Sequence, residues 1–144
     1  MLVTSAVMHG LERMAKVRVL LADDHEEILA RVRTALGEEF EVVGAVKNGR
    51  DAVIEVQRLD PDVLVIDISM PVLNGLQAAS RVRSTNPRTK IVFFTVHEDR
   101  DFVAAAFSAG AAGYVTKSQL TTDLMPAIRE ALEGHTYVSQ AIPP

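Results

Sequence analysis

Five short apolar runs, separated by segments with helical spacing, form the main pattern of this chain. The runs are Val17–Ala22, Phe40–Val46, Val63–Ile66, Lys90–Thr95 and Ala112–Thr116. The third run, VLVI, is apolar throughout and lacks the alternation of a half-exposed strand. Such a run is typical of a strand that helices cover on both faces, as in a parallel sheet. The pattern therefore predicts five strands in a sheet with two buried faces.

The segments between and after these runs carry apolar residues at a spacing of three to four. This spacing predicts helices at about 25–36, 51–59, 75–86, 99–109 and 121–133. Gly44 lies inside the second run and predicts a β-bulge there. Since crossovers between parallel strands are right-handed, five β-α units predict a parallel α/β sheet with helices on both faces.

Polar residues follow four of the predicted strands at their carboxyl ends. They are Asp23 with Asp24, then Asp67, Thr95 and Lys117. The carboxyl ends of parallel strands meet at one edge of a sheet, where such folds place their ligands. Each aspartate alone could simply cap a helix or a turn. Together, however, these groups predict one cleft with three carboxylates, a hydroxyl and an ammonium.

This set of groups is suited to phosphoryl chemistry. A carboxylate such as Asp67 can attack phosphorus and form an aspartyl phosphate. Carboxylate oxygens also bind Mg²⁺, which neutralises phosphoryl oxygens. Lys117 would add a compact positive charge, and Thr95 could donate a hydrogen bond. The sequence contains no GxxxxGK[ST] loop, which favours a small phosphoryl compound or a phosphorylated protein over ATP as the donor.

Composition limits the other possibilities. The chain has 144 residues, of which 48% are hydrophobic and 24% charged, and this is enough for one domain. It contains no cysteine, so disulfides and thiolate metal sites are excluded. A net charge of −4 disfavours general binding to polyanions by this piece. No apolar run approaches the roughly 20 residues of a membrane span, and the first residues do not form a secretory signal.

The chain resembles the receiver domain of two-component response regulators over about residues 17–135. The matching residues are Asp23, Asp24, Asp67 in the segment DISMPVLNG, Thr95, Tyr114 and Lys117. The resemblance implies a flavodoxin-like (βα)5 fold with strand order 2-1-3-4-5, in a cytoplasmic signalling domain that is not an enzyme. We expect residues 1–15 to be an N-terminal extension, 16–135 the receiver, and 136–144 the start of a linker or a C-terminal tail.

The resemblance also implies a role for each carboxylate. Asp67 would be the phosphoacceptor, receiving its phosphoryl group from a sensor histidine kinase. Mg²⁺ would be bound by Asp24, Asp67 and the backbone carbonyl of Ser69, and Asp23 would assist through a water molecule. His25 is interpreted as the exposed first turn of a helix rather than as a ligand.

Three further residues would respond to the phosphoryl group by the same resemblance. Thr95 and Lys117 would be the switch residues, and Tyr114 the aromatic side chain that reorients with Thr95. The alternative for Tyr114 is an ordinary, half-buried strand tyrosine. The segments LADDH and GAAGYVTKS resemble the subfamily whose receivers precede a LuxR-type helix-turn-helix domain. This implies phosphorylation-dependent homodimers and transcription regulation, with DNA bound through a C-terminal domain that the sequence does not include.

Several positions depart from the family pattern. Many receivers have a cis Lys-Pro bond where this chain has Lys117-Ser118. Val96 replaces a small residue and would narrow the entrance for the phosphoryl group. Ser69 and His97 occupy variable positions at the mouth of the site, where they would tune how fast the phosphoryl group is lost to water.

Two other functions stay open from the residues alone. One is an aspartyl-phosphate phosphatase, although the haloacid-dehalogenase type needs an aspartate where this chain has Ser69. The other is a receiver that only binds proteins and is never phosphorylated. The intact acidic pair, Thr95 and Lys117 argue against this second alternative.

Overall fold

The strands and helices alternate along the chain in the predicted order. The computed structural model describes residues 15–143, so the predicted N-terminal extension lies outside it except for Ala15. The strands are β1 (Val17–Ala22), β2 (Phe40–Val46), β3 (Val63–Ile66), β4 (Lys90–Thr95), β5 (Gly113–Thr116) and β6 (Tyr137–Val138). The helices are α1 (Glu26–Leu36), α2 (Gly49–Leu59), α3 (Gly75–Thr85), α4 (Arg100–Ser108) and α5 (Leu120–Leu132). Among residues 15–143, no helix is both long and apolar enough to cross a membrane.

All the strands pair in parallel, in the order β2-β1-β3-β4-β5-β6. The predicted flavodoxin-like order 2-1-3-4-5 is therefore confirmed. The pairing of β1 with β2 shifts by one residue, because Val19 pairs with Val42 while Leu20 pairs with Gly44. This irregularity confirms the bulge predicted near Gly44.

A short sixth strand corrects the predicted count of five. In β6, Tyr137 pairs with Gly113 and Val138 with Tyr114. Residues 136–144, which were expected to begin a linker or tail, thus start with a segment that belongs to the sheet. Without β6, the outer backbone groups of β5 would be left unpaired at an open edge. The need to pair that edge, rather than a hydrophobic pattern, accounts for a strand of two residues.

The core consists of two apolar layers, one on each face of the sheet. Neighbouring strand residues point to opposite faces, so Leu20 and Leu64 lie in one layer while Leu21 and Val65 lie in the other. Helices α1 and α5 cover one face, and α2, α3 and α4 cover the other. Because both faces are covered, the central strand β3 needs no polar position, which explains its uninterrupted apolar run.

Helix α4 is attached to the sheet more weakly than α5. Ala106 is the fully buried residue of α4, whereas α5 buries six residues. The larger apolar side chains of α4, Phe102, Val103 and Phe107, are only partly buried. Less buried apolar area lowers the free energy needed to move an element locally. Helix α4 is therefore thinly packed against the sheet.

The loop after β3 folds back closely onto the end of that strand. The amide of Gly75 donates a hydrogen bond to the carbonyl of Ile68, at 2.7 Å. A Cβ atom at position 75 would lie 2.0 Å from the carbonyl oxygen of Asp67. Asn74 then caps α3 through a capping box with Gln77. Glycine at position 75 therefore allows α3 to start directly beside Asp67.

Val72, in the same loop, has a backbone conformation that L-residues rarely adopt. Its φ is 71°, and the amide of Leu73 donates to the carbonyl of Pro71 at 2.8 Å across it. A tight three-residue turn of this type is strained, especially for a β-branched residue. The Val72 residue is 76% exposed, so packing of its side chain does little to offset the strain.

We expect Val72→Gly to raise the free energy of unfolding by about 1 kcal/mol. The left-handed conformation costs an L-residue roughly 1–2 kcal/mol, and the added flexibility of glycine in the unfolded chain cancels about half of the gain. Urea unfolding would measure the change. Val72→Ala is the control, since it retains a Cβ atom and therefore the strain. A glycine variant no more stable than the alanine variant would contradict the prediction.

Candidate functional site

The register of the sheet places the predicted site residues at one edge. Ala22 pairs with Ile66, so the residues that follow them, Asp23 and Asp67, lie side by side. The amide of Asp67 donates to the carbonyl of Ala22 at 3.0 Å and continues the ladder by one residue. On the other side of β3, Thr95 pairs with Thr116, and Lys117 follows directly.

Lys117 lies at the centre of the site, between two buried carboxylates. Its Nζ donates a hydrogen bond to Oδ2 of Asp67, at 3.0 Å. The same atom lies 2.7 Å from Oδ2 of Asp23, at an angle outside hydrogen-bond geometry, so this contact is an ion pair. The side chains of Lys117, Asp23 and Asp67 are all at most 10% exposed. Charges this well shielded from water interact more strongly than surface pairs.

Burial by itself would lower the pKa of Lys117, but the contacts with Asp23 and Asp67 outweigh it. The pKa of Lys117 is therefore raised above its ordinary value. A lysine with a raised pKa stabilises the folded state fully at neutral pH. That stabilisation is lost only as the pH rises through the raised value. Lys117 is thus a permanent positive charge at this edge under ordinary conditions.

His25 contacts both members of the acidic pair. Its Nδ1 lies 3.0 Å from Oδ1 of Asp23 and 3.1 Å from Oδ1 of Asp24. As predicted, His25 stands at the start of α1 with a side chain that is 63% exposed. The link that its ring makes between the two carboxylates was not predicted from the sequence. The adjacency in Asp23-Asp24-His25 was the available signal, but the side-chain direction depends on how α1 packs.

Four residues place possible metal ligands close together. The donor atoms of Asp23, Asp24, His25 and Asp67 lie within 4.8 Å of one another. Oδ2 of Asp23 is buried, and the ammonium of Lys117 lies 2.7 Å from it. Several carboxylate oxygens this close together are suited to a hard divalent cation, which prefers oxygen ligands. The residues present therefore fit the predicted Mg²⁺ site, and Asp24 lies on its open side.

Tyr114 is fully buried, rather than half-buried as in the alternative interpretation. Its hydroxyl donates to the backbone carbonyl of His97, at 2.7 Å. Burial and the charge of Asp67 raise the pKa of Tyr114, so the hydroxyl stays protonated. Thr95 is also buried, and its Oγ1 accepts a long hydrogen bond from the amide of His97, at 3.5 Å. The segment after β4 thus connects Thr95 to Tyr114.

The side chain of His97 joins the β3–α3 loop to α4. Its Nε2 is hydrogen-bonded to Oγ of Ser69 at 2.8 Å, and its ring stacks on Phe102 at 4.2 Å. Phe102 was absent from the predicted site, because its position in α4 resembles an ordinary core position. The two residues predicted to act at the mouth of the site are therefore in direct contact with each other.

An open cleft of about 680 Å³ leads from solvent to Lys117. Asp24, His25 and Val96 line it, and Val96 is 65% exposed. Val96 thus lies at the side of this cleft without closing it. Every peptide bond among residues 15–143 is trans, including Lys117-Ser118.

Comparison with known proteins agrees with this geometry. Residues 19–129 match the model of the response regulator receiver domain. The chain belongs to this family. Receiver domains are signalling domains of two-component systems and are generally not classed as enzymes. The recognition from the sequence is therefore confirmed, together with the fold it implied.

Several relatives support the LuxR-type subfamily. GacA of Pseudomonas viridiflava, a response regulator, is 34% identical over 128 residues, which are 88% of this chain and 60% of GacA. A LuxR-family response regulator from Aurantimonas sp. SI85-9A1 superposes with a TM-score of 0.84 at 31% identity, covering 89% of this chain and 93% of that one. One chain from a structure of RcsB dimers bound to DNA superposes with a TM-score of 0.80 at 25% identity, covering 89% of this chain and 66% of that one. The receiver spans about 60% of the length of the curated relatives.

The two members of the acidic pair should differ in their effect on stability without metal. We expect Asp23→Asn to lower the free energy of unfolding by about 1–3 kcal/mol, because it removes a charged partner from the buried Lys117. Asp24→Asn, at an exposed carboxylate beside other negative charges, should change it by less than about 0.5 kcal/mol. Urea unfolding in EDTA would compare them. Equal losses in the two variants would contradict the asymmetry.

Proposed function

We propose that this receiver accepts a phosphoryl group on Asp67 from a sensor histidine kinase. The observation that carries the proposal is the buried contact between Lys117 and Asp67, with Asp23 and Asp24 within reach. The carboxylate of Asp67 faces a fixed ammonium and can act as a nucleophile toward phosphorus. The same ammonium can interact with the phosphoryl oxygens once they arrive.

The transfer step requires little covalent chemistry from the protein. An oxygen of Asp67 forms the new O–P bond while the P–N bond of the donor phosphohistidine breaks, and the departing imidazole nitrogen takes up a proton. We assign Asp24, Asp67 and the carbonyl of Ser69 to hold Mg²⁺, with Asp23 acting through water. The ion would supply positive charge to the phosphoryl oxygens.

We further propose that Thr95 and Lys117 engage the new phosphoryl oxygens and so act as the switch residues. Thr95 and Tyr114 are both linked to His97, which supports a coupled response of the three residues. The surface that responds would be the face formed by α4, β5 and α5. The weak attachment of α4 supports this choice, because a thinly packed helix moves at low cost.

His97 and Ser69 would then tune how long the aspartyl phosphate lasts. Both lie at the mouth of the site, where a water molecule must approach Asp67 to hydrolyse it. Their mutual hydrogen bond supports a shared effect rather than two separate ones. Val96, at the other side of the entrance, would restrict access in the same way.

The output proposed for the whole protein is regulation of transcription in the cytoplasm. GacA is longer than this chain, and RcsB binds DNA as dimers. By analogy, we propose that phosphorylation favours a homodimer of this receiver. Contact with DNA would be made by a separate DNA-binding domain.

The phosphoacceptor can be tested by intact mass. After incubation with acetyl phosphate and Mg²⁺, the wild-type protein should gain about 80 Da, the mass of one HPO₃ group. Asp67→Asn should gain none, because the amide nearly preserves shape but is not a nucleophile. EDTA should abolish the gain in the wild-type protein.

Asp62→Asn is the matched control for this experiment. Asp62 directly precedes β3, at the strand end opposite Asp67. Its variant should label like the wild-type protein. Labelling of Asp67→Asn to the wild-type extent would refute the assignment. Rapid release of inorganic phosphate with no lasting adduct would favour the phosphatase alternative. The absence of any reaction would favour a receiver that only binds proteins.

The switch role of Thr95 predicts a variant that is phosphorylated but responds weakly. A hydrogen bond to a charged oxygen contributes about 1.5–3 kcal/mol, so Thr95→Ala should reduce the shift between the two states roughly ten-fold or more. Amide exchange across residues 98–118, with and without beryllofluoride, would measure the response.

Thr89→Ala is the control. Thr89 is also a buried threonine, but it directly precedes β4, whereas Thr95 is the last residue of that strand. This variant should respond like the wild-type protein. If Thr95→Ala also responded fully, coupling through Thr95 would be ruled out, and Lys117 would be left as the route.

A further inference from the structure

The segment of residues 136–142, which we call the C-terminal strap, is hydrogen-bonded alongside β5 through residues 137–139. The amide of Tyr137 donates to the carbonyl of Ala112 at 3.1 Å, and the amide of Ser139 donates to the carbonyl of Tyr114 at 2.9 Å. The strap thus lies against the strand that ends directly before Lys117. Its backbone follows β5 toward the phosphoryl site.

Ser139 of the strap contacts Thr116, the residue that directly precedes Lys117 in the chain. Its Oγ accepts a hydrogen bond from the amide of Thr116, at 3.1 Å. Ser139 is only 2% exposed, so the hydroxyl is a buried acceptor rather than a surface group. Thr116 is the last residue of β5, beyond the two residue pairs of β5 and β6. The serine hydroxyl therefore replaces a missing strand partner for the Thr116 amide.

The Thr116 amide lies one residue before the backbone that carries Lys117. Lys117 begins a single 3₁₀ turn, and its long side chain reaches Asp67 from there. On the other side of the same turn, Oγ1 of Thr116 and Oγ of Ser118 are 3.2 Å apart. The ammonium of a flexible lysine side chain has a defined position only if the lysine backbone is fixed. If the backbone becomes mobile, the ammonium samples more positions.

We propose that Ser139 is a positioning residue for the phosphoryl site. By holding the Thr116 amide, Ser139 fixes the start of the turn from which Lys117 reaches Asp67. Seating of the strap and occupation of the site by a phosphoryl group therefore stabilise each other, since coupling between two sites is reciprocal. This inference rests on the proposed function.

Other contacts hold the strap in place without the serine hydroxyl. Tyr137 is partly buried beside α5, and burial together with the nearby carboxylate of Asp123 raises the pKa of Tyr137. Ile142 packs against the core layer that includes Tyr114. Ser139→Ala should therefore remain folded with the strap seated, which makes it a specific test of the single hydrogen bond.

The test compares affinity for beryllofluoride, a phosphoryl mimic, at saturating Mg²⁺ in the 144-residue protein. Ser139→Ala should bind the mimic about five-fold more weakly than the wild-type protein, the lower end of typical coupling between linked sites. Ser139→Thr, which keeps the acceptor, should restore wild-type affinity. A purely structural role would not separate these two variants at temperatures where both are folded.

Thr89→Val is the matched control. The hydroxyl of Thr89 is also buried and donates to the carbonyl of Pro61 at 2.8 Å, but it precedes β4 at the opposite edge of the sheet. Its removal should lower stability much as Ser139→Ala does and leave affinity for the mimic unchanged. Equal affinity in Ser139→Ala and the wild-type protein, or equal losses in Ser139→Ala and Thr89→Val, would overturn the proposal.

A second measurement uses the protein without any phosphoryl mimic. The backbone amide of Ile68 is bonded to Asp67, so its NMR shift reports on that carboxylate. Ser139→Ala should move the amide signals of Lys117 and Ile68, and changes confined to residues 112–116 and the strap would overturn the inference. If the wild-type protein failed to bind beryllofluoride, the proposed function would fall, while this measurement would still decide whether Ser139 positions Lys117.

Discussion

The buried contact of Lys117 with Asp23 and Asp67 is the interaction on which the rest of the site depends. Carboxylates held this close repel one another, and burial adds to the cost of their charge. One ammonium offsets only part of that cost, which leaves the edge of the sheet with an excess of negative charge. The same excess makes the site receptive to a divalent cation. The fold thus maintains an excess of negative charge that a metal ion can offset.

The two faces of the sheet support this site unequally. Helices α1 and α5 pack on one face around large apolar side chains, and this layer supports the strand ends that carry the acidic pair. On the other face, α4 buries little, and His97 connects it to Ser69 and Tyr114. A signalling domain requires a rigid part that positions the charged groups. It also requires a more weakly packed part that can move when the charge at the site changes. The same packing difference places the proposed response on α4 and β5.

The strands were predictable because their burial is visible in the sequence. The bounds of β1, β2, β3 and β4 agree with the apolar runs, since strands covered on both faces consist mainly of apolar residues. The candidate site followed from the same runs, because parallel topology brings their carboxyl ends together. Strand β6 could not be predicted in this way. Two residues carry no periodic signal, and their pairing depends on the exposed edge of β5.

The sequence by itself determined the order of strands and helices, the residues at the strand ends and, through its motifs, the family. Only the tertiary structure decided which side chains meet. Ser69 and His97 are 28 residues apart, and Thr116 and Ser139 are 23 apart, yet each pair is hydrogen-bonded. His25 is adjacent to the acidic pair in sequence, but the packing of α1 sets the direction of its ring. Such contacts depend on how separate elements pack, which local periodicity does not encode.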